Sequence, residues 1–128
     1  MAEIPRGNRP LSPHLSVYRL PLAAITSILN RATGQGMLPA ILLILWWLLA
    51  AGISDEAFAR ADWVLTSWLG LLVLFGGLWS LWFHFLAGIR HFFYDARIGM
   101  EISSARMSSI AILVGSVLLS LLTLLLMA

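Results

Sequence analysis

His84 is the only titratable side chain between Trp63 and Ile89, a run of 27 residues without Asp, Glu, Lys or Arg. A protonatable ring in an apolar segment of that length is costly, so such residues usually face a bundle interior and mark a site. Gly76, Ser80, His84 and Gly88 recur every four residues, which puts them on one side of a helix. Small residues beside an imidazole leave room for a flat, bulky group against the backbone. The candidate occupant is a haem ligated by His84, and the competing reading is a structural histidine hydrogen-bonded to a neighbouring helix.

A low-spin haem takes one axial ligand on each face of the ring. The chain contains His14, His84 and His91. His84 and His91 share a helical face but differ by about 10 Å along the axis, so they cannot reach one iron from opposite sides. His14 lies well before the first apolar stretch. A bis-histidine haem here therefore needs its second ligand from another polypeptide. Met37, Met100 and Met107 are alternative ligands that no spacing favours. The absence of cysteine excludes disulfides, thiolate haem ligation and iron–sulfur ligation by this chain.

Three other groups of polar residues stand near the apolar runs. Ser27 and Arg31, four apart, share a helical face, with helix packing and snorkelling to headgroups as their plain alternatives. The segment from Arg90 to Arg106 holds Arg90, His91, Asp95, Arg97, Glu101 and Arg106, and its plain reading is a solvated connection with local ion pairs. Arg90 itself reads as a snorkelling boundary residue. Ser109, Ser116, Ser120 and Thr123 form a weak polar stripe suited to interhelical hydrogen bonds.

These residues need helices to position them. The 128 residues are 60% apolar and 11% charged, which is not a soluble composition. Residues 32–53, 63–89 and 107–128 form windows of 22, 27 and 22 residues, and a hydrocarbon core of about 30 Å needs about 20 helical residues. Continuous segments of this kind satisfy their backbone groups in lipid as helices. The chain reads as an all-α membrane protein. Three transmembrane helices, at about 21–53, 63–91 and 104–128, make a domain over 21–128 behind an N-terminal arm over 1–20. Residues 54–62 read as a connection only. Pro21 suits the first helical turn.

Arginine sets the orientation, because the chain has no lysine. Arg6, Arg9, Arg19 and Arg31 lie on the N-terminal side, Arg60 alone in the first connection, and Arg90, Arg97 and Arg106 around the second. That distribution predicts an inside N-terminus, a cytoplasmic arm and an outside C-terminus. The scattered arginines exclude a nucleic-acid site. No secretory signal is evident in the polar, proline-broken arm, and a bacterial cytoplasmic membrane is expected ahead of a mitochondrial inner membrane.

Three stretches carry a family resemblance: RPLSPHLSVY from Arg9 to Tyr18, SILNRATG from Ser27 to Gly34, and HFLAGIRHFFYD from His84 to Asp95. In this order and spacing they resemble the cytochrome b membrane-anchor subunit of succinate dehydrogenase, respiratory complex II. The resemblance covers nearly the whole chain. It implies a subunit that works with a second small membrane anchor, docks an iron–sulfur and a flavoprotein subunit, and has no succinate-oxidising site of its own. It implies haem b, with His84 as axial ligand and the opposite histidine on the second anchor. It implies ubiquinone at Ser27 and Arg31, with Arg31 also near the haem propionates, His91 at the haem edge and Asp95 in proton delivery. Asn30 departs from the family, which commonly has histidine there. Asparagine keeps hydrogen-bonding capacity but carries no charge. The rival functions are a cofactor-free structural anchor and a small proton-conducting subunit using His84, His91 and Asp95. The latter is disfavoured because the far half of the bilayer offers no ionisable partner.

Overall fold

The computed structural model describes residues 18–127, which form four helices: α1 (Leu22–Ala51), α2 (Asp55–Thr66), α3 (Trp68–Asp95) and α4 (Ile102–Met127). Most of the arm, including His14, lies outside the described residues. The three longer helices are long and apolar enough to cross a membrane. The architecture is all-helical with three candidate membrane spans.

α1 starts one residue after Pro21, whose extended backbone (φ −65°, ψ 154°) makes it the cap and whose carbonyl accepts from the Ala24 amide at 2.9 Å. Pro39 sits inside α1 without ending it. Membrane helices tolerate such a residue because the surrounding structure re-satisfies the freed backbone groups.

The second span differs from the 63–91 expected from hydropathy, and the connection over 54–62 is not a plain loop. Ser54 caps α2 by accepting from the Ala57 amide at 3.2 Å, and Asp55 and Glu56 complement the helix dipole in its first turn. α2 thus absorbs Trp63 to Thr66. Ser67 breaks the chain direction with ψ 157°. Its hydroxyl oxygen donates to the Val64 carbonyl at 2.6 Å and accepts from the Gly70 amide at 3.1 Å, capping α3. A Cβ at Gly70 would strike the Val64 and Leu65 carbonyl oxygens, so the close approach of the two helices requires glycine. Trp47 fastens α2 to α1: its indole N–H donates to Asp62 Oδ1 at 3.1 Å, and its ring lies 5.3 Å from that of Phe58.

α3 extends four residues past the expected end and includes His91 and Asp95. It stops in a 6→1 closure, with the Ile98 amide on the Phe93 carbonyl at 2.8 Å and Arg97 in the left-handed region at φ 59°. The connection is thus 96–101, shorter than the Arg90 to Arg106 segment read from charge.

α3 shares its largest interface with α1 and the next with α4. The antiparallel α1–α3 seam is built on small residues: Gly34 faces His84, Gly36 faces Ser80, and Ala40 meets Gly77 where a Cβ would collide. Without a strong hydrophobic drive between helices in lipid, close backbone approach of this kind supplies the packing. Phe83, Ala87 and Ile112 form the buried core, with Leu29, Trp79, Leu86 and Leu113 around them. In α4, Ser109, Ser116, Ser120 and Thr123 all donate to carbonyls of their own helix, and Ser109 and Thr123 also accept from α3, the latter from the Trp82 indole at 3.0 Å.

Candidate functional site

His84 is half-buried on α3, with its ring over the backbone of Gly34 on α1. A Cβ at Gly34 would come within 3.0 Å of His84 Cε1, so glycine makes the room for the imidazole. His84 Nδ1 lies 3.0 Å from the carbonyl oxygen of Asn30. A carbonyl only accepts, so Nδ1 carries the proton and Nε2 presents its lone pair. This is how a metal-binding histidine is held: one nitrogen fixed by a backbone acceptor, the other free for the ion.

Asn30 links both histidines of the described chain. Its carbonyl also accepts from the Thr33 hydroxyl at 3.1 Å. Its side-chain Nδ2 lies 3.3 Å from His91 Nε2, and because an amide nitrogen only donates, His91 accepts there. Asn30 Oδ1 is buried and has no partner among the described residues. His91 is otherwise exposed.

Ser27 is half-buried and Arg31 exposed, and neither makes a side-chain hydrogen bond or ion pair among the described residues. Ser27, Arg31 and Gly34 recur at i, i+4 and i+7, so they form one stripe along α1. Because the His84 ring covers Gly34, that stripe leads from the imidazole to the turn that carries Arg31. Arg31 lies about 4.5 Å and Ser27 about 10 Å along the axis from Gly34. Gly76 and Gly88, one or two turns from His84 on α3, have open space where a Cβ would be. Ser80, grouped with them by spacing, is buried against Gly36 instead. Asp95 ends α3 exposed, and the local ion pair with Arg97 does not form; among the described residues the ion pair is Arg60–Glu56 at 3.9 Å, on α2.

Residues 5–123 match the family described as succinate dehydrogenase/fumarate reductase transmembrane subunit. The chain belongs to this family. It is 61% identical over 124 residues to a Paracoccus denitrificans succinate dehydrogenase cytochrome b556 subunit, covering 97% of this chain and 95% of that one. A Rickettsia felis cytochrome b556 subunit is 31% identical, over 91% and 90% of the two chains. A mitochondrial succinate dehydrogenase cytochrome b560 subunit of Bos taurus is 34% identical, over 88% and 68%. As a transmembrane subunit of the succinate dehydrogenase family, the chain is a membrane anchor, in keeping with its three apolar helices.

Charge and position alone misplace Arg90 in this family member. It does not snorkel: it is 6% exposed, and its Nη1 donates to Thr26 Oγ1 on α1 at 3.0 Å and to Ser109 Oγ on α4 at 3.1 Å. Its guanidinium carbon stands 5.6 Å from the centre of the Tyr94 ring, and its Nε is buried without a partner among the described residues. The signal was present in the spacing, since Phe83, Ala87 and Arg90 recur at i, i+4 and i+7 and the first two are the core. A cavity of about 360 Å³ opens between α3 and α4 beside Arg90, lined by Leu86, Ile89 and Phe93 of α3 and Ser108, Ala111 and Ile112 of α4 among others, and His84 is not part of its wall.

Proposed function

We propose that the chain is the membrane-anchor subunit of a succinate:quinone oxidoreductase that ligates a b-type haem through His84 Nε2 and forms part of the ubiquinone-reduction site with Ser27 and Arg31. The observation that carries this reading is the His84–Asn30 bond at 3.0 Å, which accounts for one imidazole nitrogen and leaves the lone pair of the other without a hydrogen-bond donor among the described residues. A purely structural histidine would need no glycine beneath the ring and no open flank beside it, and both are present at Gly34 and at Gly88.

A haem bound here would supply one-electron transfer between entering electrons and the quinone. The chain's own residues hold and tune it. His84 donates Nε2, the Asn30 carbonyl fixes its tautomer and rotation, and Arg31 offers a guanidinium for a propionate or for charge developing on a quinone oxygen. Ser27, about one turn from Arg31 on the same stripe, offers a hydroxyl to the quinone. His91, tied to Asn30, would stand near the haem, and Asp95 at the end of α3 would serve in proton delivery. Asn30 takes the place of a charged contact with a neutral one.

In this arrangement the N-terminus and the 96–101 connection face the cytoplasm, and the arm over 1–20 and that connection contact an iron–sulfur subunit that joins a flavoprotein. A second small membrane anchor would contribute the other haem histidine, since His91 is two turns along the same helix and tied to Asn30. The membrane is the bacterial cytoplasmic membrane. A reduced-minus-oxidised absorbance spectrum of the purified complex tests the reading against a cofactor-free anchor: a b-type band reducible by succinate is expected, and a complex active with ubiquinone yet free of haem would contradict it.

A further inference from the structure

Arg90 is a buried arginine with no carboxylate partner among the described residues, an expensive element of a membrane bundle, and its three-helix contact follows a strict proton count. Thr26 Oγ1 donates its only proton to the Ala23 carbonyl at 3.1 Å, and Ser109 Oγ donates its own to the Ala105 carbonyl at 2.7 Å. The two hydroxyl oxygens, 3.1 Å apart, therefore face each other as acceptors. The two N–H bonds of Arg90 Nη1, one to each oxygen, hold them together. Thr26, Ser109 and Arg90 are all nearly or wholly buried, so no bulk water substitutes for the guanidinium. Removing Arg90 would let one hydroxyl turn its proton to the other, which would keep α1 on α4 and loosen α3 from both at this level.

The position of the clamp gives it a function. Thr26 immediately precedes Ser27, and Arg31 follows one turn on, while Arg90 is on the helix that carries His84. We propose that Arg90 is a positioning residue for quinone reduction: it fixes the rotation and depth of the α1 turn bearing Ser27 and Arg31 against the helix bearing His84. This rests on the quinone-site reading above. Arg90 touches neither quinone nor haem and acts through Thr26. The Asn30–His84 bond one turn further along the seam makes the second attachment, so α1 and α3 are pinned at two heights.

The test uses the intact purified complex with Arg90→Met, the near-isosteric Thr26→Val, their combination, and Ser27→Ala as reference. Amide hydrogen exchange over residues 22–31 reads the clamp without reference to quinone. Exchange should rise in both single variants and no further in the double variant, and unchanged exchange in Thr26→Val overturns the clamp even if Arg90→Met fails to assemble. With a short-chain ubiquinone, the KM should rise about tenfold in both, the scale of one charge-assisted hydrogen bond, with kcat for an artificial acceptor unchanged. If Ser27→Ala raises the quinone KM and Thr26→Val does not, the positioning role is wrong. If Ser27→Ala leaves the KM unchanged, the quinone-site reading fails, and the exchange data alone then uphold or overturn the clamp.

Discussion

The backbone carbonyl of Asn30, not its side chain, holds His84, through a 3.0 Å bond to Nδ1. The side chain of Asn30 turns the other way, to His91 at 3.3 Å. The departure from the family histidine at this position therefore leaves the imidazole of His84 untouched.

Asn30→Ala is expected to preserve the low-spin haem spectrum, because every residue type supplies the same carbonyl. It removes one exposed contact with His91 and a buried, unpartnered Oδ1, so thermal stability should change by no more than about 1 kcal/mol. Loss of the haem band in this variant would mean that the side chain, and not the backbone, orients the ligand.

Gly34 is expected to be the least replaceable glycine of α1. A methyl group there comes within 3.0 Å of His84 Cε1, whereas one at Gly36 stays 3.5 Å from Ser80 Oγ, ordinary contact. Gly34→Val should lower the haem content of the purified complex strongly and Gly34→Ala partly, with Gly36→Ala near the wild type. Equal haem content in all three would remove the packing argument for the ring position.

Gly77→Leu should prevent the α1–α3 seam from closing, because even a Cβ at Gly77 collides with that of Ala40. Overpacking of a tight interface costs about 1–3 kcal/mol and more where backbone must move. The amount of assembled complex in membranes measures this, and normal accumulation would show that the helices separate more easily than the seam indicates.

Ser27→Ala and Arg31→Leu should each lower ubiquinone reduction by about tenfold or more, as expected for losing a donor aimed at developing charge. Succinate oxidation with an artificial acceptor should stay close to the wild type. A parallel fall of both activities would assign the two residues to assembly.

The three spans and the position of His84 on one of them were legible because long apolar runs and a lone imidazole are local signals. The break at Ser67 was not, because Trp63 to Leu65 are as apolar as the span that follows, and the break depends on one extended serine and a glycine that lets two backbones meet. The α2 helix was hidden in the same way, although Ser54, Asp55 and Glu56 form an N-terminal signature in the sequence. Arg90 looked like a boundary charge because its acceptors come from α1 and α4, far away in sequence. The paired carboxylate–arginine connection expected around Asp95 fails for the opposite reason: α3 runs on through it and holds Asp95 at its exposed end.

The proposed ligation of the haem iron by His84 Nε2 is open to a decisive measurement. Low-temperature electron paramagnetic resonance of the complex carrying His84→Leu tests it most directly, with subunit content followed in parallel. The low-spin signal of the wild type should disappear or convert to high spin while the three helices still insert. An unchanged low-spin signal in an assembled His84→Leu complex would contradict it.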